Sequence, residues 1–232
     1  MTLIKRIDFH THSLLSDGAL LPSELLRRVA VLDYAALAIS DHADASNLSQ
    51  VIDSLHRLLR EQPNDFETQL LVGVELTHVG PASIGKLARQ AKECGAEVVV
   101  VHGETIVEPV APGTNRAAIE SPDVDVLAHP GFITPEEATL AARRGCYVEI
   151  TTRKGHSLTN GHVARVCREA GAALVVNSDS HEPSDLPSFA FACQVAAGAG
   201  LTEAEVYAAT VTHPQALLAR VLAARTQVRT HK

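Results

Sequence analysis

The sequence predicts an α/β fold of parallel strand–helix units, arranged either as a barrel or as a doubly wound sheet. Short runs of Val, Ile and Leu recur along the 232 residues, and amphipathic helical patterns separate them with strand ends roughly 20 to 35 residues apart. Each run also carries, at or just past its end, a residue type that can bind a metal. The runs are Leu3–Phe9, Ala36–Ile39, Gln69–Val74, Glu97–Val101, Val124–Ala128, Cys146–Ile150 and Ala173–Val176, giving seven strands. Helices are expected near 22–32, 47–61, 81–94, 113–120, 135–144, 160–170 and 187–198, with LTEAEVYAAT and HPQALLARVLAA following. Proline or a capping residue opens several of them, as in Pro22-Ser23-Glu24 and Thr134-Pro135-Glu136-Glu137, and glycine closes others at Gly95, Gly145 and Gly171. The segment 101–115, VHGETIVEPVAPGTN, reads only as a long loop. With no linker or low-complexity stretch, residues 1–232 are expected to form a single domain.

Apolar residues make up 46% of the chain and charged residues 20%, the balance of a globular protein. Aromatics are scarce, so Ala, Val, Leu and Ile must build the core. A net charge of -7 disfavours broad binding to extended nucleic acid, which depends on Lys and Arg neutralising phosphates. Cys94, Cys146, Cys167 and Cys193 lie far apart without a CxxC pair, and are read as reduced, small apolar residues. No stretch is long and apolar enough to span a bilayer, so a soluble, cytoplasmic protein is expected, with RTQVRTHK a frayed terminus. An oligomer is compatible with the sequence but nothing in it demands one.

The residues at the strand ends carry the chemistry. The first run is followed by His10, His12 and Asp17, the second by Asp41 and His42, and the third by Glu75. His102 and His129 follow the fourth and fifth, Glu149 lies in the sixth, and Asp179 and His181 follow the seventh. In a parallel barrel these ends meet around one axis, where βα loops build active sites. The two histidines of DFHTHSLLSDG are two apart on a strand, so both point to one face and can grip one ion. One histidine at a strand end is as readily structural as functional. The joint pattern is not, because burying so many imidazoles and carboxylates without a cation costs several kcal/mol per unpaired charge.

DFHTHSLLSDG, ISDHAD, VGVELT, VVVHGE, LAHPG and NSDSH together resemble, in the same order, the motifs of the PHP (polymerase and histidinol phosphatase) family. The resemblance implies a distorted (β/α)7 TIM-like barrel with its active site at the carboxyl-terminal ends of the strands, binding three divalent ions, commonly zinc, manganese or iron. It implies that one ion is held by His10, His12, Glu75 and Asp179, that Glu75 bridges to a second on His102 and His129, and that a third sits on Asp17, His42 and His181. Mixed imidazole and carboxylate donors also suit those metals by their own chemistry. Three such ions would outweigh the charge of Asp17, Glu75 and Asp179 and give an acidic protein a cationic pocket.

The expected function is therefore hydrolysis of a small phosphate monoester, histidinol-phosphatase-like, by a hydroxide bridging the first two ions. Arg153 is the expected phosphate-binding cation, since its fork matches phosphate geometry, ahead of Lys154 and Arg116. His156 is a candidate proton donor to the leaving group. Asp41 and Glu104 are candidates for orienting ligand imidazoles, with Asp44 weaker, and Glu149 for contacting substrate. His56, His78, His162, His213 and His231 are expected to be structural, and the glycines of HPG and RKG to serve turns. The expected partners are a small phosphorylated substrate or inorganic phosphate, with neither membrane nor extended nucleic acid. The alternatives are a phosphodiesterase or exonuclease acting on nucleotides, an amidohydrolase, and a non-catalytic metal-binding module. Glu75 stands where the amidohydrolase barrel would place a metal-bridging lysine, and the complete donor set argues against a degenerate module.

Overall fold

In the computed structural model, residues 4–62 and 66–230 are described, the side chains of 226–230 excepted. Seven parallel strands, β1 (Arg6–Asp8), β2 (Tyr34–Ile39), β4 (Gln69–Leu76), β5 (Val98–His102), β6 (Val126–Ala128), β7 (Tyr147–Thr151) and β8 (Leu174–Asn177), pair in that order. A two-residue strand absent from the sequence reading, β3 (His42–Ala43), adds to β4 in the register His42↔Glu75. Helices α1 (Pro22–Val31), α2 (Leu48–Glu61), α3 (Pro81–Cys94), α4 (Thr114–Glu120), α5 (Pro135–Arg144) and α6 (Asn160–Ala170) alternate with the strands, and α7 (Phe189–Gly198), α8 (Glu203–Tyr207) and α9 (His213–Thr230) complete the chain. The result is an α/β TIM-like barrel.

The barrel is nearly closed rather than continuous. Past the ends of β1 and β8 the two segments meet at the Thr11↔Ser180 bridge, where Asp179 N–H donates to His10 O and His12 N–H to Ser180 O, both at 2.9 Å. Deeper in the seam, Arg6 Nη2 reaches Val176 O at 3.2 Å and Asp8 Oδ1 accepts from Ser178 N–H. The seam matters for function because it fixes His10, His12 and Asp179 against one another.

Strand alternation divides the core into two layers. Ile7, Phe9, Ala36, Ala38, Leu71, Val98, Val100, Val126, Ala128 and Val175 fill the lumen, and Leu217 and Val221 of α9 plug its amino-terminal end. Inward positions take small or β-branched residues because seven strands enclose a narrow lumen. The outward residues, such as Leu37, Ile39, Val72, Val74, Val99 and Val101, pack under Leu25, Leu26 and Val29 of α1, Ile52 and Leu55 of α2 and Ile84 of α3.

The helix signals act as the sequence suggests. Thr134 and Glu137 form a reciprocal capping box ahead of Pro135, and Gly95, Gly145 and Gly171 all close helices in the left-handed conformation. All four cysteines are free, and burial pushes the thiols of Cys146 and Cys167 up to about 12, so neither is a nucleophile. The last helix continues to Thr230 through the segment expected to fray, with residues 231 and 232 outside the described residues. Among the described residues no helix is long and apolar enough to cross a membrane.

Candidate metal centre

Backbone geometry at the strand ends gathers the side chains. His129 and Asp179, each just past a strand, hold positive φ angles of 25° and 52°, which turn the chain sharply over the barrel mouth. Non-glycine residues in this region cost of order 1–3 kcal/mol and persist where surrounding structure over-determines them. The β5 and β6 loops approach backbone to backbone: a Cβ at Gly131 would run into the carbonyl oxygen of Glu104, and one at Gly103 into that of Ala128. That close approach brings the His102 and His129 rings to 4.5 Å.

All nine expected ligands converge on this mouth. His10 Nε2 lies 3.2 Å from Glu75 Oε1 and 3.6 Å from Asp179 Oδ1, and His12 Nε2 lies 3.2 Å from the same Asp179 oxygen. His129 Nε2 stands 3.5 Å from Asp179 Oδ2 and 3.8 Å from Glu75 Oε1. Asp17 Oδ1 faces His42 Nε2 at 3.4 Å and His181 Nε2 at 3.3 Å. Among the described residues five groups of donor atoms each fit within 4.8 Å: His10, His12 and Asp179; His10, His129 and Glu149; His102, His129 and His156; His78, His102 and Glu108; and His12, Asp17, His42 and His181.

Second partners set which ring nitrogen is available. His10 donates Nδ1–H to Glu149 Oε2 at 2.8 Å, His102 to Gly103 O at 3.1 Å and His181 to Asp179 O at 3.0 Å. In each case Nε2 is left with its lone pair toward the cluster, the arrangement that a ligating histidine needs.

Several of these atoms are buried without a partner. His10 Nε2, both ring nitrogens of His12 and of His129, Glu75 Oε1, Glu149 Oε1 and Asp179 Oδ1 accept or donate no hydrogen bond. An orphaned buried polar atom costs about 1–3 kcal/mol, more when charged. Outside this mouth and its neighbour Ser180, the described residues show only one comparable atom, Ser121 Oγ. Divalent cations would satisfy the atoms that face the cluster, His10 Nε2, one ring nitrogen each of His12 and His129, Glu75 Oε1 and Asp179 Oδ1, so the donor set fits metal.

Ionisation agrees with that fit. Burial disfavours the charge of Glu75, but His10 and His42 outweigh it and hold the carboxyl well below the usual range. For Asp179 burial is likewise outweighed, by His10, His12 and His129. Burial opposes the charge of His42 too, yet Asp17 and Glu75 raise it to about 10. His12 is lowered, first by burial and further by His42. Without metal, protons on His10 and His42 partly neutralise a carboxylate cluster that a cation would neutralise better.

The contacts also place the other candidate residues. His156 is buried, its Nδ1 2.8 Å from Thr105 Oγ1 and its ring stacked 4.2 Å from that of His129, so it stands among the imidazoles of the mouth. Burial and the neighbouring His129 lower its pKa to about 4, which opposes a role as a standing proton donor. Arg153 Nη1 is tied to Asp185 Oδ2 at 2.8 Å, the oxygen that also accepts His181 N–H, so its charge is already paired at the rim. Asp41 does not orient His42. It accepts from Ser13 N–H, Ser13 Oγ and Ser16 Oγ, each at 2.7 Å, and shapes the loop carrying Asp17. Glu104 caps the start of α4 through Gly113 and Asn115 N–H, and Asp44 binds Ser46. Glu149 faces inward to position His10.

His56, His162 and His213 donate to backbone carbonyls, a structural role. His78 does not: it stacks on His102 and meets Glu108. His231 lies outside the described residues. The sequence reading missed Glu108, because the loop at 101–115 offers no periodicity to mark a residue that the fold carries back over the site.

No family model matches the chain. The Ribonuclease P protein component 3 of Methanosarcina barkeri is 25% identical over 93% of this chain and 90% of its own. A probable phosphatase of Shewanella sediminis is 28% identical over 82% and 83%. An archaeal ribonuclease P structure with mature tRNA contains a chain that covers 96% of this one with 92% of its own, at TM-score 0.66 and 14% identity, a likeness of fold. The uncharacterized protein MJ1295 of Methanocaldococcus jannaschii is 49% identical over 93% of this chain and all of its own. At that identity and coverage, the chain belongs to the family of MJ1295.

Proposed function

We propose that the protein is a metal-dependent phosphoesterase of the PHP family that hydrolyses a small phosphate monoester. The observation that carries this reading is the set of unpartnered imidazole and carboxylate atoms buried at one barrel mouth. In this reading His10, His12, Glu75 and Asp179 hold one divalent ion, Glu75, His102 and His129 a second, and Asp17, His42 and His181 a third. Zinc, manganese or iron bound there would polarise the phosphate and lower the pKa of water toward neutrality. Glu149 fixes the His10 ring. Arg153, anchored by Asp185 beside His181, receives a phosphate oxygen at the rim. The probable phosphatase from Shewanella sediminis supports the reaction class.

A second reading follows from the relatives named Ribonuclease P protein component 3, matched over nine-tenths of this chain. In it the barrel is a protein component of an RNA-containing assembly. The net charge of -7 and the orphaned donors favour the enzyme, since a purely scaffolding subunit has no use for buried, unsatisfied ligands.

The discriminating experiment combines elemental analysis with an assay panel. Protein purified without chelator should carry about three divalent ions per chain and hydrolyse p-nitrophenyl phosphate in preference to bis-p-nitrophenyl phosphate. Absence of both metal and turnover, together with salt-sensitive binding of structured RNA, would give the second reading instead.

A further inference from the structure

Glu108 lies six residues beyond His102 in the β5–α4 loop, outside every strand-end motif. Its carboxylate nonetheless meets three imidazoles. Oε2 is 3.1 Å from His78 Nε2 and 3.1 Å from His102 Nε2, and Oε1 is 3.3 Å from His156 Nε2. The loop is held on both sides, by Val110 N–H donating to Glu108 O and by Glu104 clasping Gly113 and Asn115. The backbone that carries the carboxylate is thus held in place.

Two features distinguish this group from an ordinary surface ion pair. Both His102 and His156 engage their Nδ1 atoms elsewhere, with Gly103 O and Thr105 Oγ1, so their Nε2 edges converge on Glu108. His102 and His156 also share a 4.8 Å cluster with His129, whose two ring nitrogens are buried without partners. Adjacent ligands about 2.0–2.2 Å from one ion stand about 2.8–3.6 Å apart, a range that includes the 3.1 Å from Glu108 Oε2 to His102 and the 3.3 Å from Oε1 to His156, and Glu108 shares a second 4.8 Å cluster with His78 and His102.

We propose that Glu108 is a metal ligand, joining Glu75, His102, His129 and His156 around one divalent ion, while His78 braces the Oε2 atom that also faces His102. This rests on the metal-dependent reading above and extends its second ion by two ligands, Glu108 and His156.

The test is chelator competition on the full chain loaded with zinc, comparing wild type with Glu108→Gln and His78→Ala. The Gln variant keeps the side-chain volume on a solvent-facing loop, and thermal unfolding checks that it folds. It should release one zinc per chain at least about tenfold more readily, with the remaining ions unaffected. His78→Ala should produce a smaller loss at the same ion. With cobalt as the probe, Glu108→Gln should change the visible absorption of one site, a signature that a merely structural carboxylate would not move. Identical zinc release and an identical cobalt spectrum in wild type and Glu108→Gln would overturn the assignment while leaving the phosphoesterase reading intact. A wild-type chain that binds no zinc would overturn both.

Discussion

At the amino-terminal end of the barrel, Arg6 Nη2 meets Asp8 Oδ2 at 2.9 Å, Arg6 Nε donates to Tyr34 Oη, and Tyr34 Oη donates to Pro187 O. Asp125 joins Lys92 at 2.6 Å to Arg220 of α9 at 2.9 Å, and Arg225 of the same helix clasps Glu97. At the carboxyl-terminal mouth His10, His12, Glu75, His129 and Asp179 are buried about as deeply as Arg6 and Asp8, but several of their facing atoms have no hydrogen-bond partner. The difference teaches how to read a buried charge. Where the chain supplies the partner, as it does for α9 over the lumen, the charge fixes architecture. Where the chain withholds it, a bound cation is the partner that the donor set fits.

The largest expected effect lies at the paired end. Asp8→Ala strands Arg6 in the seam, and should cost about 3–5 kcal/mol in urea unfolding of the metal-free protein. A loss below about 1 kcal/mol would show that the seam tolerates an unpaired charge, and the contrast between the two ends would weaken. Zinc should act next. At about 100 times its dissociation constant it should stabilise the folded chain by about 2.7 kcal/mol, reversed by chelator. Calorimetry showing no response to zinc, manganese or iron would break the comparison at the mouth.

His12→Leu sharpens it further. In chelator-treated protein this change removes two unsatisfied ring nitrogens, so stability should shift by no more than about 1 kcal/mol, while the response to zinc should shrink. A loss as large as that of Asp8→Ala would make His12 a structural residue.

The smallest effect is a pH drift of the metal-free protein. His42 is raised in the folded state to about 10, so its contribution is fully present below the unfolded value near 6.5 and is lost as pH rises toward 10. Chelator-treated protein should therefore weaken gradually over that interval, and His42→Gln should flatten the slope. Metal-loaded protein should show the reverse trend in affinity, since ligand imidazoles must shed protons to bind.

How much of this was legible depends on the kind of signal. The seven strands and their helices were readable because periodicity and capping are local: Thr134-Pro135-Glu136-Glu137 fixes the start of α5, and Gly145 its end, through bonds between near neighbours. The metal-binding residue types at the strand ends were readable as a pattern. Roles set by direction were not. Asp41 adjoins His42 in sequence yet turns to Ser13 and Ser16, and Glu104 adjoins Gly103 yet caps α4. Adjacent residues on an extended segment point to opposite sides, so neighbourhood in sequence says little about neighbourhood in space.

By itself, then, the sequence determined an α/β chain whose strands each deliver a donor to the same end. Only the tertiary structure decided which donors share a cluster, that Arg153 is already paired, and that Glu108 and His156 stand among the imidazoles. The physical reason is range. Helix and strand formation is set over a few residues of chain, whereas a carboxylate meeting three rings from β4, β5 and β7 loops exists only once the barrel closes and places those loops around one axis.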